Sequence, residues 1–203
     1  MRDRPGLDPA ADLFAAEALP PGLEYSADFL SPHEEAGLLQ AIDTLPLAAA
    51  PYKQYTARRR IASYGSSYDF SAQRLHPAPP LPVFLLPLRD RVAGELAVPP
   101  EALAQALVTE YAIGTPLGWH RDTPEFETVV GVSLAGSCEM RWRRYPPRPG
   151  QPVLRLLVAA RSLYLITGEA RWGWQHSVAP TRTLRCSITF RTLRTGPIAR
   201  PRA

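Results

Sequence analysis

The side chains with the most chemistry to offer are few. The chain has four histidines in 203 residues, and two of them stand in telling places. His120-Arg121-Asp122 sets an imidazole and a carboxylate two residues apart. In extended backbone such residues point to the same side and can reach one point in space. His176 follows 56 residues later, in WGWQHSV, on a stretch that reads as a late strand. Two imidazoles and one carboxylate form the facial triad of non-haem Fe(II) sites, which leaves coordination positions open for a bidentate co-substrate and then dioxygen. A lone HxD on a surface loop would mean little, so a second feature has to support it.

Residues 185–191 read Arg-Cys-Ser-Ile-Thr-Phe-Arg. Strand alternation puts Arg185, Ser187, Thr189 and Arg191 on one face and Cys186, Ile188 and Phe190 on the other. The second face is an ordinary core face. The first is a polar row bounded by two guanidinium groups about 20 Å apart, at ~3.3 Å per residue. Turned outward, the row carries no function; buried, it needs an anion to pair with. A dicarboxylate co-substrate has such an anion, and arginine offers it a bidentate partner. HxD, a distant histidine and an arginine on the following strand together predict an Fe(II)/2-oxoglutarate site.

These side chains need a frame. Residues 1–20 mix Pro, Ala and Asp without a period and read as a loose arm, leaving 21–203 as one domain. LEYSADFL reads as a short strand. Ser31-Pro32-His33-Glu34 then offers an N-cap, a proline at the first helical position and a glutamate at N3, with Leu38, Leu39, Ile42 and Leu45 at helical spacing behind. That predicts a helix over 32–44, with His33 a solvated side chain. A second helix is expected over 83–97 and a short one over 99–106. From Leu107 the texture changes to short β-type runs separated by Pro, Gly or charged turns at about ten-residue intervals, the pattern of a sandwich or barrel. The expectation is a mainly β chain whose core spans 107–194, buttressed by two or three N-terminal helices.

Composition narrows the partners. No apolar run approaches the ~18 residues of a membrane span, and MRDRPGLDPAADLF lacks the apolar stretch of a secretory signal, so a cytoplasmic protein without a membrane partner is expected. Cys138 and Cys186 are the only cysteines, which excludes a disulfide scaffold or a thiolate zinc knuckle. Twenty-three prolines exclude a mostly long-helical chain. Net charge is only +4, but residues 1–50 carry −7 and residues 137–203 carry +11, which suits a polyanionic partner or an anionic small molecule. Twenty-two of the 23 basic residues are arginine, so codon composition is an equally simple source of that charge. No long apolar helix advertises a dimer seam, and a monomer is expected.

LVTEYAIGTPLGWHRD over 107–122, GVSLAG, WQHSV and RCSITFRTLR together resemble the AlkB-type Fe(II)/2-oxoglutarate-dependent dioxygenases, over about Tyr52 to Arg194. The resemblance implies a double-stranded β-helix (jelly roll) and oxidative dealkylation of N-methylated nucleobases, with Fe(II), 2-oxoglutarate and O2 consumed or used and formaldehyde, succinate and CO2 released. It implies His120, Asp122 and His176 as iron ligands. Arg185 would grip the far carboxylate of 2-oxoglutarate with Tyr111 beside it, and Arg191 would lie near the metal-bound end and the aspartate ligand. Thr109 and Ser187 stand where the best-known family pattern has asparagines, so two amide contacts to the co-substrate become hydroxyls. Some members carry an acidic base-contacting residue two positions after the ligand carboxylate; here that position is Pro124, and Glu125 or Glu127 would have to substitute.

In that family the segment before the jelly roll covers the metal as a nucleotide-recognition lid, and residues 52–72 are its counterpart. Arg58, Arg59 and Arg60 suit phosphates, while Tyr64, Tyr68 and Phe70 suit stacking on an extruded base, with Gly65-Ser66-Ser67 giving flexibility between them. Arg60, Tyr64, Tyr68, Phe70 and Glu125 are therefore the expected substrate contacts, and alkylated DNA or RNA the expected partner. Two other readings stay open. One is an oxygenase of the same fold acting on a protein or small molecule, with 52–72 closing a pocket; the other is a non-catalytic jelly-roll module that binds nucleic acid through its basic third.

Overall fold

The computed structural model describes residues 19–52 and 55–196. Nearly all of the expected loose arm lies outside the described residues, as do Lys53 and Gln54 of the 52–72 segment and the chain from 197 onward. In chain order the elements begin with β1 (Leu23–Ser26), α1 (Pro32–Ile42), β2 (Ala48–Tyr52), β3 (Tyr55–Tyr64), β4 (Ser66–Asp69) and β5 (Arg74–Pro77). Next come α2 (Leu86–Glu95), β6 (Leu103–Tyr111), β7 (Leu117–His120), β8 (Phe126–Leu134) and β9 (Cys138–Arg144). The chain closes with β10 (Leu154–Val158), β11 (Leu163–Ile166), α3 (Gly168–Trp172), β12 (Trp174–Val178) and β13 (Arg185–Leu193).

Seven strands form the major sheet in the order β1-β11-β8-β13-β6-β3-β2, and four form the minor sheet in the order β10-β9-β12-β7. Every pairing is antiparallel. The minor sheet packs on the major one through Met140, Trp142 and Val178 against Val129, Tyr164 and Ile166. This is the mainly β jelly roll expected from the sequence. The two helices α1 and α2 cover the outer face of the major sheet, where Ile42, Leu85, Leu88 and Val92 meet Val108, Val132, Ile188 and Phe190.

Local chemistry sets the helix ends. Ser31 Oγ accepts from the Glu34 N–H at 3.2 Å and the Ser31 N–H donates to Glu34 Oε2 at 2.7 Å, the reciprocal capping box. Glu35 on the same helix accepts from the Ala135 N–H at 2.8 Å and pairs with Arg161 at 3.0 Å, which ties α1 to the end of β8. The 83–97 helix is present as a 3-10 turn, Val83–Leu85, running into α2. The 99–106 helix is absent. Pro100–Ala102 forms one 3-10 turn and β6 starts at Leu103, because pairing with β13 and β3 overrides the helical propensity of its alanines. The short helix α3 was not expected from the sequence.

Residues 55–69 are more regularly paired than their composition suggests. Strand β3 joins the major sheet beside β6, and β4 pairs with β5 in a separate hairpin. Gly65 between them is pinned rather than loose. Its φ is +75°, its N–H donates to Pro79 O at 2.7 Å, and a Cβ there would lie 2.5 Å from Ala104 O.

Strand β8 sits between β11 and β13, and Gly131 is paired with Tyr164 on one side and Thr189 on the other. The Tyr164 ring lies over that glycine, so a Cβ would fall 2.0 Å from Tyr164 Cζ. Gly131→Ala is expected to destabilise the fold by about 1–3 kcal/mol, the usual range for overpacking. In chemical denaturation the loss should shrink when Tyr164→Ala is combined with it; simple additivity would show that the ring is not the obstacle.

Candidate metal and co-substrate site

Three side chains that could hold a metal ion gather where β7 and β12 pair at one side of the minor sheet. β7 and β12 are neighbours, and His120 and His176 are directly opposed in their register. Directly opposed residues on an antiparallel pair project to the same face, and the two imidazole centroids are 4.2 Å apart. Asp122 follows two residues after β7 ends, and its Oδ2 lies 3.7 Å from His176 Nε2. The donor atoms of His120, Asp122 and His176 all fall within 4.8 Å of one another. Among the described residues this is the one group of three such donors able to share an ion. Trp142 backs the cluster, its ring 4.9 Å from that of His176.

Protonation states fit a cation. His120 Nδ1 is 2.8 Å from Gly118 O, and a carbonyl can only accept, so Nδ1 carries the hydrogen and Nε2 keeps its lone pair. Burial lowers the pKa of His120. Burial, with the His120 charge added, lowers that of His176 to about 3. For Asp122 burial works upward, but Arg191 foremost, with His176, His120 and Arg171, outweighs it and holds the carboxyl well below the ordinary range. Neutral imidazoles beside an ionised carboxylate are the forms that bind a divalent metal. The donor set, two nitrogens and one carboxylate, is that of a non-haem Fe(II) centre.

Asp122 is held in place by a chain of contacts. Arg191 donates to its Oδ1 through Nε at 3.0 Å and Nη2 at 2.7 Å, and through Nη1 to Gln105 Oε1 at 2.8 Å. Gln105 Nε2 in turn donates to Ser66 O at 2.9 Å. A ligand in the minor-sheet region is thereby fixed by β13 and β6 of the major sheet and linked to the start of the β4–β5 hairpin.

The polar row of β13 faces inward. Arg185, Ser187, Thr189 and Arg191 line a cavity of about 440 Å³ between the sheets, together with the three metal-ligating side chains. Arg185 is 1% exposed. Its Nε donates to Ser133 Oγ at 3.2 Å, and its guanidinium lies 5.1 Å from the Tyr111 ring centroid. Among the described residues no carboxylate pairs with it. Burial opposes its charge, yet Cys138, Tyr111 and Tyr164 more than offset that, and its pKa is raised. A buried cation with no carboxylate partner among the described residues, on the wall of a cavity, suits an anion arriving from outside. Tyr111 is opposed to Arg185, and Thr109 to Ser187, across β6 and β13, so all four expected side chains line one wall.

The expected substrate contacts divide. Tyr68 and Phe70 line the cavity, their rings edge-to-face at 5.0 Å. Arg60 and Tyr64 do not. Period-2 alternation of β3 turns Arg59, Ile61 and Ser63 to the cavity and Arg60 and Tyr64 to the opposite face. There Arg60 makes a bidentate pair with Glu110 at 2.7 and 2.8 Å, and Tyr64 is buried in the helix-covered core. Glu125 is buried off the cavity wall, its backbone carbonyl accepting from the Arg194 N–H at 2.8 Å. Glu127, the other acidic substitute, accepts from Trp172 Nε1 at 3.0 Å. Gln105, Ser133 and Tyr164 also line or support the cavity, and Arg59 is the arginine of the 58–60 run that faces it. Strand alternation alone would have separated Arg59 from Arg60; nothing local marks Gln105 or Ser133.

Comparisons with known proteins agree with this geometry. Residues 22–191 match the family model of the 2OG-Fe(II) oxygenase superfamily. A relative from Arabidopsis thaliana, "Alkylated DNA repair protein ALKBH8 homolog", is 28% identical over 215 residues, covering 87% of this chain and 60% of its own length. The mouse "tRNA (carboxymethyluridine(34)-5-O)-methyltransferase ALKBH8" is 25% identical over 86% of this chain. The chain thus spans 60% of the plant relative and 27% of the mouse one. The solved structure "The structure of OsALKBH1" superposes with a TM-score of 0.70 at 16% identity, over 87% of this chain and 99% of that one, and shares its fold. With the profile covering most of its length and its two-histidine, one-carboxylate cluster in one cavity, the chain belongs to the 2OG-Fe(II) oxygenase superfamily, whose members use Fe(II), 2-oxoglutarate and O2.

Proposed function

We propose that this dioxygenase removes N-methyl groups from nucleobases of DNA or RNA, releasing formaldehyde. The observation that carries the reading is one cavity. It is lined by His120, Asp122 and His176, by Arg185 with no carboxylate partner among the described residues, and by the aromatic pair Tyr68 and Phe70. An aromatic face stacks on any base, and a base has to leave its helix to reach so enclosed a centre. The names of the plant and mouse relatives point to alkylated DNA and to tRNA, which supports a nucleic-acid substrate.

In this reading His120, Asp122 and His176 hold the iron, and Arg185 with Tyr111 receives the distal carboxylate of 2-oxoglutarate. Bound iron with 2-oxoglutarate and O2 supplies an oxidation that converts the co-substrate to succinate and CO2 and hydroxylates a substrate C–H bond. The protein's part is positional. Arg191 and Gln105 keep the Asp122 carboxylate ionised and oriented, the Gly118 carbonyl fixes the His120 tautomer, and Trp142 with the flanking apolar groups excludes water. Ser187 and Thr109 offer hydroxyls to the co-substrate. An N-hydroxymethyl group leaves the base as formaldehyde without further help from the protein.

Two experiments test this. Fe(II)-loaded protein is incubated with 2-oxoglutarate and a panel of methylated DNA, RNA and tRNA substrates, with His120→Ala as the blank. Succinate and formaldehyde are expected together on at least one member and neither with the variant. Succinate without formaldehyde across the panel would overturn dealkylation and favour hydroxylation of some other group. In calorimetry, Arg185→Met is expected to weaken 2-oxoglutarate binding at least about thirtyfold while Fe(II) binding persists, the low end of the ~2–5 kcal/mol lost when a buried charge pair loses one member. Unchanged affinity would remove Arg185 from the co-substrate site.

A further inference from the structure

The charges on the cavity wall are lopsided. Arg59, Arg121, Arg185 and Arg191 line it, and Asp122 is the only carboxylate among the described residues that does. Asp122 is engaged by Arg191, and Glu125 and Glu127 lie off the wall. The Arg121 guanidinium sits 3.7 Å from the Tyr145 ring centroid and donates to Trp172 O. Arg59 has no carboxylate paired with it among the described residues. Filling the site with Fe(II) and the 2-oxoglutarate dianion adds equal and opposite charge, so the cationic excess stays.

We propose that this cavity selects neutral or anionic nucleobases against cationic ones, with Arg59 on its wall as the specificity-determining residue. The proposal rests on the nucleobase reading above and narrows it. Methylation at N3 of cytosine or N1 of adenine leaves the base positively charged at neutral pH; methylation at N3 of uracil or N1 of guanine does not. A cationic base would meet an unpaired guanidinium in a space that screens charge less than water does. Hydrogen bonding points the same way. Arginine only donates, so it can meet the O4 acceptor of 3-methyluracil but opposes the exocyclic N–H groups of 3-methylcytosine. The Tyr68 and Phe70 rings would attract a cation, but Phe70 is 47% exposed, and a cation–π contact at such a ring is weaker than a full like charge.

The test uses one single-stranded oligonucleotide made three ways, with 3-methyluracil, 3-methylcytosine or the unmodified base at one position. Competition binding to the anaerobic Fe(II)/2-oxoglutarate protein is measured beside formaldehyde release in air. The wild type is expected to prefer 3-methyluracil over 3-methylcytosine roughly tenfold, the order of one like-charge pair in a partly wet site. Arg59→Gln should erase most of that preference and Arg59→Glu should reverse it, with the melting temperature of Arg59→Gln close to wild type. Equal or better binding of 3-methylcytosine by the wild type would overturn the proposal. So would an Arg59→Gln defect shared equally by all three oligonucleotides, which is the mark of a phosphate contact. If binding discriminates by charge but neither methylated base yields formaldehyde, selection by charge stands and dealkylation falls.

Discussion

Strand β13 sits near the middle of the major sheet with both faces enclosed, and that one constraint organises the site. Its Cys186, Ile188 and Phe190 are committed to the core beneath α1 and α2. Period-2 geometry then leaves Arg185, Ser187, Thr189 and Arg191 no choice but the space between the sheets. Two guanidinium groups cannot sit in a dry core without anions. The sheets therefore cannot close completely there, and a cavity remains where an ordinary jelly roll would fill with aliphatic side chains.

The two arginines meet that demand differently. Arg191 has an internal partner, the Asp122 carboxylate, and holds that group in its ionised form. Arg185 pairs with no carboxylate among the described residues, and Ser133 and Tyr111 lie beside its guanidinium. In the proposed reading one arginine thus orients a metal ligand while the other receives an incoming anion. The same division separates the sheets: the minor sheet presents the imidazoles on facing strands, and the major sheet presents the cations. Their chemistry can combine only because the sheets pack face to face.

Much of this was legible in the sequence wherever a side chain's role follows from strand or helix period. The inward row of β13, the HxD spacing and the Ser31–Glu34 cap are all local patterns that the fold keeps. Long-range pairing was not legible. The alanine-rich stretch 102–106 looks helical in isolation, and only its place between β13 and β3 makes most of it strand. By composition alone, Arg60 and Tyr64 of the 52–72 segment are as fit for substrate as Tyr68 and Phe70. Once β3 is a paired strand, Arg60 and Tyr64 fall on its far face and Arg59 on the near one. Glu125 lies off the cavity wall for a similar reason: a short loop decides whether a side chain meets a cavity, and residue type carries no sign of that. The Gln105 bridge between Arg191 and Ser66 depends on three separate chain segments and has no sequence signature.

The central claim is that one ion and one dicarboxylate share this cavity, the ion on the two imidazoles and Asp122, the far carboxylate on Arg185. The anaerobic crystal structure of the Fe(II) and 2-oxoglutarate complex, with anomalous data at the iron edge, tests it most directly. A single iron peak is expected in contact with His120, Asp122 and His176, with the distal carboxylate of the co-substrate on the Arg185 guanidinium. An iron peak away from those three side chains, or a co-substrate turned so that Arg185 is left without an anion, would contradict the account.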